Sequence, residues 1–222
     1  MGPRTLLMTI PAISKVFSFY LNYAASLSDP VERMKVVITT TIAFLWRNHH
    51  FDKPLNPILG ETYQARCPDG AMMYLEQTCH HPPRSHLYID GPKYKVYGWN
   101  EYSVRAYINS AVCTPQGHKT VEFDDGQKIT FNNPTDTFYN LLMGTLYQWI
   151  HGKMEFFDKG NDLYGFYEIG KVKGKSQEYF TGEVRQGDEV ISSISGNYCG
   201  YIDFDGVRYF DIREVDKVYH EF

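Results

Sequence analysis

Residues 121–131 read Val-Glu-Phe-Asp-Asp-Gly-Gln-Lys-Ile-Thr-Phe, and they indicate the fold class of the chain. Apolar and polar residues alternate on both sides of Asp124–Gln127, which is the period of a strand that buries one face. The stretch therefore predicts a β-hairpin. A second hairpin is predicted further on, because Tyr201–Phe204 and Val207–Phe210 flank the turn signal Asp205-Gly206.

From Glu61 onward, turn signals separate short alternating segments and predict an antiparallel meander, with strands roughly 8–12 residues apart. A meander of this length curls into a barrel or splits, and a large curled sheet can enclose a ligand. Residues 135–150 are expected to include a short helical or irregular interruption. The turn signals are Gly91-Pro92, Gln116-Gly117, Asn133-Pro134, Lys159-Gly160 and Gln186-Gly187.

The N-terminal part of the chain follows a helical period instead. Residues 13–24 place apolar side chains at helical spacing, and a stronger helix follows them. Asp29 suits the N-cap, Pro30 suits the first helical position, and Val31–Leu45 supplies an apolar stripe that we expect to pack on the sheet. An apolar run near the N-terminus is expected to stop at Pro11. These helices are expected to cover an open end of the curled sheet.

Composition limits the function classes. The chain has 222 residues, enough for one large domain or two small ones, and nothing in the composition marks a boundary; 43% hydrophobic and 16% aromatic residues indicate a real core. A net charge of −4 gives no electrostatic support for nucleic-acid binding. The four cysteines are scattered without a CxxC pair and are expected to be reduced thiols in a cytoplasmic protein. No window approaches the roughly 18 apolar residues of a membrane span, so any membrane contact is expected to be peripheral.

The segment Glu76-Gln77-Thr78-Cys79-His80-His81-Pro82-Pro83 carries the clearest functional signal. The prolines exclude a helix at His81, so the two imidazoles are expected at a strand end or turn. Adjacent imidazoles on a stiff backbone can donate to an anionic oxygen. The loop Lys53–Glu61 adds the Lys53 ammonium and the Asn56 amide, and the four donors together suit a phosphate group.

Other interpretations of these residues remain open. The histidines can be structural, or can bind a metal with Cys79, although no zinc-site spacing such as CxxC or HExxH accompanies them. Glu76 can act as a general base in a hydrolase, although the sequence contains no nucleophile elbow. We expect no metal, no cofactor and no enzymatic activity.

On these motifs the chain resembles the oxysterol-binding-protein-related family, in its lipid-binding domain. The family fingerprint Glu-Gln-x-Ser-His-His-Pro-Pro is matched by residues 76–83, with Cys79 where serine is usual. The family's Lys-Pro loop ending in Leu-Gly-Glu is matched by Lys53–Glu61. Asp29–Met34 is similar to the family's helix entry.

The resemblance implies a mainly β (α+β) fold, a large incomplete antiparallel β-barrel around a hydrophobic lipid tunnel. The chain would be a single lipid-binding domain, with a lid at residues 1–12, helices at 13–50 and the barrel at 51–222. The resemblance assigns headgroup binding to Lys53, Asn56, His80 and His81. It assigns the lid and tunnel to Leu6, Leu7, Ile10 and Leu59.

The implied function is lipid binding and non-vesicular lipid transfer between membranes. The partners would be phosphatidylinositol 4-phosphate, a second lipid that is a sterol or phosphatidylserine, and a transient membrane surface at an organelle. The oligomeric state is not predicted. In the family, a later helix brings a Lys, a Glu and an Arg to the headgroup; Lys217 does not align with it, and the chain is expected to be a natural short form or a fragment. The alternative is a membrane-sensing scaffold that encloses no lipid.

Overall fold

The computed structural model describes residues 5–13, 15–47 and 55–214, except for the side chains of residues 10–13, 15, 46 and 47. The described part of the chain forms three helices followed by a large antiparallel sheet. The helices are α1 (Leu6–Ile13), α2 (Lys15–Ser26) and α3 (Pro30–Arg47). The strands are β1 (Thr62–Arg66), β2 (Met72–Cys79), β3 (Arg84–Asp90), β4 (Tyr94–Ala106), β5 (Ser110–Gln116), β6 (Lys119–Phe123), β7 (Lys128–Phe131), β8 (Thr135–Tyr139), β9 (Tyr147–Asp158), β10 (Leu163–Ile169), β11 (Tyr179–Gln186), β12 (Glu189–Asn197), β13 (Tyr201–Phe204) and β14 (Val207–Asp211).

The strands form one 14-stranded sheet in the order β1-β2-β3-β4-β5-β8-β9-β10-β11-β12-β13-β14, with β6 and β7 inserted between β4 and β9. All of the strand pairs are antiparallel, which confirms the predicted mainly β class. Within the described residues, β1 and β14 each pair with one strand, so the sheet is an open curl. Both predicted hairpins are confirmed, as β6–β7 and β13–β14.

Two of the predicted turns do not reverse the chain. β5 and β6 both pair with β4, in one direction, so the chain runs straight through Gln116-Gly117. Likewise β7 and β8 both pair with β9 across Asn133-Pro134. Each signal reflects a local backbone feature. Gly117 has φ +102°, and Pro134 has no N–H to donate to a neighbouring strand. Such residues interrupt strand pairing without turning the chain.

Strand direction places the connecting loops at two ends of the sheet. The end that carries the His80–His81 turn, between β2 and β3, is called here the upper end. Antiparallel pairing puts the β4–β5, β8–β9, β10–β11 and β12–β13 connections at the same end. The lower end carries, among others, the β6–β7 turn and the β13–β14 turn.

Helix α3 packs on the buried face of the sheet. Its start is as predicted, because Asp29 Oδ1 accepts a hydrogen bond of 2.8 Å from Val31 N. The predicted single apolar stripe is too narrow, since every residue from Arg33 to Ala43 is buried. The three consecutive threonines on its polar side donate to carbonyls of the preceding turn, so that side is also buried without unpaired hydroxyls.

Arg33 fixes α3 to its surroundings from a position that is only 4% exposed. Its guanidinium donates to Asp125 Oδ2 at 2.6 Å, to Gln127 Oε1 at 2.7 Å and to two carbonyls of the α2 end, those of Ala24 and Leu27. It also lies 4.7 Å from the centroid of the Phe123 ring. The charge is buried at tolerable cost because these acceptors surround it.

The N-terminal helix differs from the prediction at Pro11. The proline was expected to end the apolar run, but α1 continues to Ile13 and α2 begins at Lys15. A proline removes one backbone donor, which a helix can lose at a junction with the next helix. Within the described ranges, no helix is both long enough and apolar enough to cross a membrane.

Candidate functional site

The His80–His81 turn joins β2 to β3 at the upper end of the sheet. The two imidazole centroids lie 4.6 Å apart in an edge-to-face arrangement. His81 is exposed, whereas His80 Nδ1 is buried and has no hydrogen-bond partner among the described residues. A buried imidazole nitrogen without a partner costs free energy, so this atom is available to a ligand at a small additional desolvation cost.

Gln77 holds the turn in place from a fully buried position. Its Nε2 donates to Cys79 O at 3.0 Å, and its Oε1 accepts a hydrogen bond from Ser85 Oγ on the facing strand. Ser85 also lines the cavity described below. The turn and the cavity wall are therefore linked through one buried amide.

The loop of residues 55–61 lies directly beside this turn, because Gly60 N donates to Gln77 O and Gln77 N donates to Glu61 O, both at 2.9 Å. Glu61 organises the loop and the start of α1. Its Oε2 accepts from Ile58 N at 3.1 Å, and its Oε1 accepts from Thr5 Oγ1 at 2.6 Å. The helix is also tied to the loop by Leu6 N, which donates to Leu55 O at 3.0 Å.

The predicted headgroup residues divide into three cases. His80 and His81 lie together in the turn. Asn56 is exposed in the neighbouring loop, and in the described part of the chain its side chain makes no hydrogen bond to either imidazole. Lys53 lies outside the described residues.

The predicted lid and tunnel residues also differ in position. Leu7 is fully buried and Leu6 lines the cavity. Leu59, by contrast, is 64% exposed and lies outside the cavity lining. The side chain of Ile10 is not among those described.

A cavity of about 120 Å³ lies between the three helices and the upper half of the sheet. Its helical wall is mainly apolar and includes Leu6, Phe17 and Phe44. Its strand wall combines apolar side chains such as Leu75 with a group of polar ones. Helix α3, which is buried on all sides from Arg33 to Ala43, packs on the buried face of the sheet and supplies part of the helical wall.

The polar part of the strand wall is a hydrogen-bonded cluster around Lys119. The Lys119 ammonium donates to Asn100 Oδ1 at 3.3 Å and to Asn133 Oδ1 at 2.5 Å. Asn133 Nδ2 in turn donates to Asn100 Oδ1 at 2.8 Å. Burial lowers the pKa of Lys119 to about 8, because desolvation disfavours the charged amine. All three side chains line the cavity.

A second polar group stands beside this cluster. Burial raises the pKa of the Asp136 carboxyl, against the lowering effect of a hydrogen bond of 3.0 Å that Gln148 Nε2 donates to Asp136 Oδ1. Burial, with the nearby Asp136 carboxylate, raises the pKa of Tyr102 to about 12. Gln148 Oε1 is buried, and no side chain or backbone group in the described ranges pairs with it. The cavity therefore offers donors and acceptors on one wall and hydrocarbon on the other.

Sequence reasoning missed Glu61, Gln77 and the Lys119 cluster. Glu61 lies in the Lys53–Glu61 loop and Gln77 lies in the 76–83 segment. The hydrogen-bonding groups of these two side chains were therefore a signal that the sequence already contained. The cluster had no sequence signal, because its members come from separate strands and the segment between β7 and β8.

A larger hollow of about 990 Å³ lies at the lower end, near the α2–α3 connection and the β6–β7 turn. Its buried polar side chains satisfy one another: Gln127 Nε2, for example, donates to Asp158 Oδ2 at 2.7 Å while Gln127 Oε1 accepts from Arg33. We therefore assign it a structural role and place the candidate site at the upper end. Among the described residues, no three His, Cys, Asp or Glu side chains converge as metal ligands.

Comparisons with known proteins agree with this fold. The chain is similar to the Osh1 ORD domain solved in complex with cholesterol, with a TM-score of 0.80 and 22% identity over 90% of this chain and 49% of that chain. It is also similar to the Osh3 ORD from Saccharomyces cerevisiae solved in complex with PI(4)P, with a TM-score of 0.80 and 17% identity over 95% of this chain and 59% of that one. At these identities the structures support the fold.

Sequence comparison gives the family. Oxysterol-binding protein 9 of Dictyostelium discoideum is 30% identical over 225 residues, covering 88% of this chain and 52% of that protein. Oxysterol-binding protein-related protein 1 of Mus musculus is 33% identical over 145 residues, covering 62% of this chain and 15% of that protein. The chain thus spans about half the length of the first relative and less of the second. The oxysterol-binding protein family model matches residues 3–216, so the chain belongs to the oxysterol-binding protein family.

Proposed function

We propose that this chain binds one membrane lipid at a time, with the acyl or ring portion in the cavity under α1 and the headgroup at the upper rim. The observation that carries the proposal is the buried Nδ1 of His80, which has no partner in the described part of the chain and lies next to the exposed His81. A ligand oxygen that accepts from this pair relieves an unpaired buried group, and such a group costs roughly 1–3 kcal/mol.

The headgroup proposed is phosphatidylinositol 4-phosphate, bound by Lys53, Asn56, His80 and His81. A phosphate monoester carries about −1.5 to −2 charges at neutral pH, which suits ammonium, amide and imidazole donors. The Osh3 ORD, whose fold this chain shares, was solved with PI(4)P. The second lipid proposed is a sterol or phosphatidylserine, and the Osh1 ORD was solved with cholesterol and with ergosterol.

Lipid entry requires movement of α1. Ligand sites usually measure roughly 300–1,000 Å³, and the cavity measures about 120 Å³. The α1 residues Leu6 and Thr9 form part of its wall. Opening this helix enlarges the space, and closing it removes the lipid from water. Burial of each CH₂ is worth about 0.8 kcal/mol, so a closed apolar space can compete with a bilayer. The proposed cycle is extraction, closure, diffusion and release at another membrane, without covalent chemistry.

The test is extraction of phosphatidylinositol 4-phosphate from vesicles. The double variant His80→Ala, His81→Ala removes both imidazoles and is expected to weaken extraction at least about tenfold, since a hydrogen bond to a charged group is worth roughly 1.5–3 kcal/mol. His118→Ala is the matched control, because this histidine is exposed and lies between β5 and β6, where its carbonyl pairs with Trp99 N of β4 and not with the His80–His81 turn. Extraction at the wild-type level by a folded double variant would refute the headgroup assignment.

The alternative, a membrane-sensing scaffold that encloses no lipid, is favoured by one observation, the small cavity volume. Native mass spectrometry of the purified chain separates the two proposals. A lipid that remains bound through purification and gas-phase transfer supports the exchanger. A chain that stays empty after incubation with vesicles of each candidate lipid supports the scaffold.

A further inference from the structure

Two neighbouring, hydrogen-bonded loops at the upper end carry exposed apolar side chains. We define this apolar knob as Tyr107 and Ile108 in the β4–β5 turn and Leu142 and Met143 in the β8–β9 loop. Ile108 is 90% exposed, and Leu142 and Met143 are each 75% exposed. Single exposed apolar residues are ordinary, but a contiguous group of large ones marks an interaction surface.

The strands that carry the knob extend beyond their neighbours β3 and β10. Arg84, at the start of β3, pairs with Glu101, and β4 continues to Ala106 beyond that level. At about 3.3 Å per residue, the end of β4 therefore stands roughly 17 Å along the strand beyond Arg84, where the His80–His81 turn joins β3. On the other side, β9 extends above Gly152, which pairs with Ile169 at the end of β10.

The knob is held in a fixed shape, which favours a built surface over a frayed loop. Asn109 Oδ1 accepts hydrogen bonds from Leu142 N at 2.9 Å and Met143 N at 3.0 Å. Asn109 Nδ2 donates to Met143 O at 3.0 Å. Asn140 Nδ2 donates to Thr145 O at 2.8 Å and closes the second loop. The Asn109 side chain thus fixes the backbone of Leu142 and Met143, whose apolar side chains face solvent.

Aromatic and basic side chains surround the knob in a definite order. Tyr139 and Tyr147 stand at its base with their ring centroids 6.1 Å apart. The β10–β11 connection below carries three exposed lysines, Lys171, Lys173 and Lys175, here called the lysine loop. Tyr147 joins the two parts, because its hydroxyl donates to Gln177 Oε1 at 3.1 Å.

The exposed charged side chains around the knob are mainly basic. Residues 102–116 and 137–154, which contain the knob and its supporting strands, include no aspartate or glutamate. The lysine loop is flanked by two half-buried carboxylates, and Lys171 pairs with that of Glu168 at 2.7 Å. Exposed Arg105 stands beside the knob. The exposed groups available to a partner are thus mainly apolar at the tip and cationic below it.

We propose that the apolar knob and the lysine loop form a bilayer-docking surface for anionic membranes. An apolar tip, tyrosines one step behind it and lysines further back match the order of hydrocarbon, interface and anionic headgroup in a bilayer leaflet. A convex tip suits insertion between lipids, whereas a protein partner would have to supply a matching groove. The proposal rests on the proposed lipid exchange in one respect: docking at this end turns the His80–His81 turn and α1 toward the membrane.

The first test is sedimentation with vesicles of phosphatidylcholine containing phosphatidylserine. The variant Ile108→Asp, Met143→Asp is expected to lose at least about tenfold in vesicle affinity, because two charges enter an apolar interface. Val207→Asp is the matched control, since Val207 is 62% exposed but lies at the lower end. Equal binding by the two variants would overturn the proposal, and so would wild-type protein that does not sediment with these vesicles.

The basic part has its own test. Replacement of Lys171, Lys173 and Lys175 by Gln is expected to weaken binding about fivefold per lysine on phosphatidylserine vesicles and to leave binding to pure phosphatidylcholine unchanged. Lys159→Gln is the control, because this exposed lysine lies at the lower end. A loss of the same size on both kinds of vesicle would contradict the electrostatic role.

Two further measurements cover misfolding and a failure of the proposed function. Ile108→Trp keeps an apolar tip; its fluorescence should shift to the blue and be quenched by brominated lipid, unlike that of Val207→Trp, and an unchanged emission would overturn insertion.

Uptake of a water-soluble short-chain fluorescent lipid is measured without vesicles, and Ile108→Asp, Met143→Asp should retain it. A wild-type chain that docks on vesicles but takes up no lipid defeats the exchanger proposal and leaves the docking surface standing.

Discussion

Replacement of Lys119 by Met, an uncharged side chain, is expected to stabilise the folded chain at neutral pH. Its pKa falls from 10.5 to about 8 in the cavity wall, and each pKa unit corresponds to about 1.4 kcal/mol. This shift corresponds to about 3 kcal/mol by which desolvation disfavours the charged amine in the folded chain at pH 7. Lys119→Met removes this cost but also removes the donor from Asn100 and Asn133, at about 1 kcal/mol for each hydrogen bond. We expect the variant to be about 1–2 kcal/mol more stable than the wild type at pH 7.

The pH dependence gives this prediction a second signature. Below pH about 8 the amine is charged in both the folded and the unfolded chain, so the whole cost is present. Between about 8 and 10.5 the unfolded chain binds more protons than the folded chain, so wild-type stability rises with pH. The advantage of Lys119→Met should therefore shrink across this window and reverse above it, where the neutral wild-type amine no longer carries the desolvation cost and keeps its two hydrogen bonds.

The assay is urea unfolding of wild type, Lys119→Met and the control Lys93→Met, each at several pH values from 6.5 to 10. Lys93 is exposed at the β3–β4 turn, so its replacement should change the unfolding free energy little at any pH. The reasoning is refuted if Lys119→Met is no more stable than wild type at pH 7. It is also refuted if the difference between the two stays constant as the pH rises toward 10.

Three further outcomes follow from the packing. Arg33→Met should cost about 3–5 kcal/mol of unfolding free energy in urea titrations, because it removes the donor from four acceptors at a buried site. The control Arg185→Met breaks the more exposed ion pair with Glu183 and should cost less than about 1 kcal/mol. Gly182→Ala should cost about 3 kcal/mol, since a Cβ there would lie 1.9 Å from Phe166 O, whereas Gly200→Ala, with its nearest atom at 4.0 Å, should melt close to wild type. Glu61→Ala should speed amide hydrogen exchange in α1 and the 55–61 loop roughly tenfold, relative to the exposed control Glu189→Ala, because Thr5 and Ile58 lose their acceptor.

Local chemistry explains which sequence predictions held. The Asp29 cap and the two hairpins depend on neighbours within a few residues, so the sequence contains all of the interacting partners. At Asp205-Gly206 both residues adopt positive φ, of 51° and 79°, as the tight turn requires. The interruption expected in residues 135–150 is also present, as an irregular loop between β8 and β9.

The failed predictions depended on distant partners. Gly117 signals a turn in isolation, but β4 lies beside the chain and keeps β5 and β6 in one direction. A Cβ at Gly117 would lie 2.2 Å from Trp99 O, so this glycine permits a close approach between strands. In the same way, the sequence of α3 predicts a single apolar stripe, but in the fold its surroundings bury every residue from Arg33 to Ala43.

Sequence alone determined the strand period, the helix entry and the motif that carries the two histidines, because each is a local pattern. Only the tertiary structure decided that the β4–β5 turn and the lysine loop stand at the same end as His80 and His81. It also decided that Lys119 meets Asn100 and Asn133 in one wall. The physical reason is strand pairing: register and direction join residues far apart in the chain, and they set the environment in which each group is charged, buried or exposed.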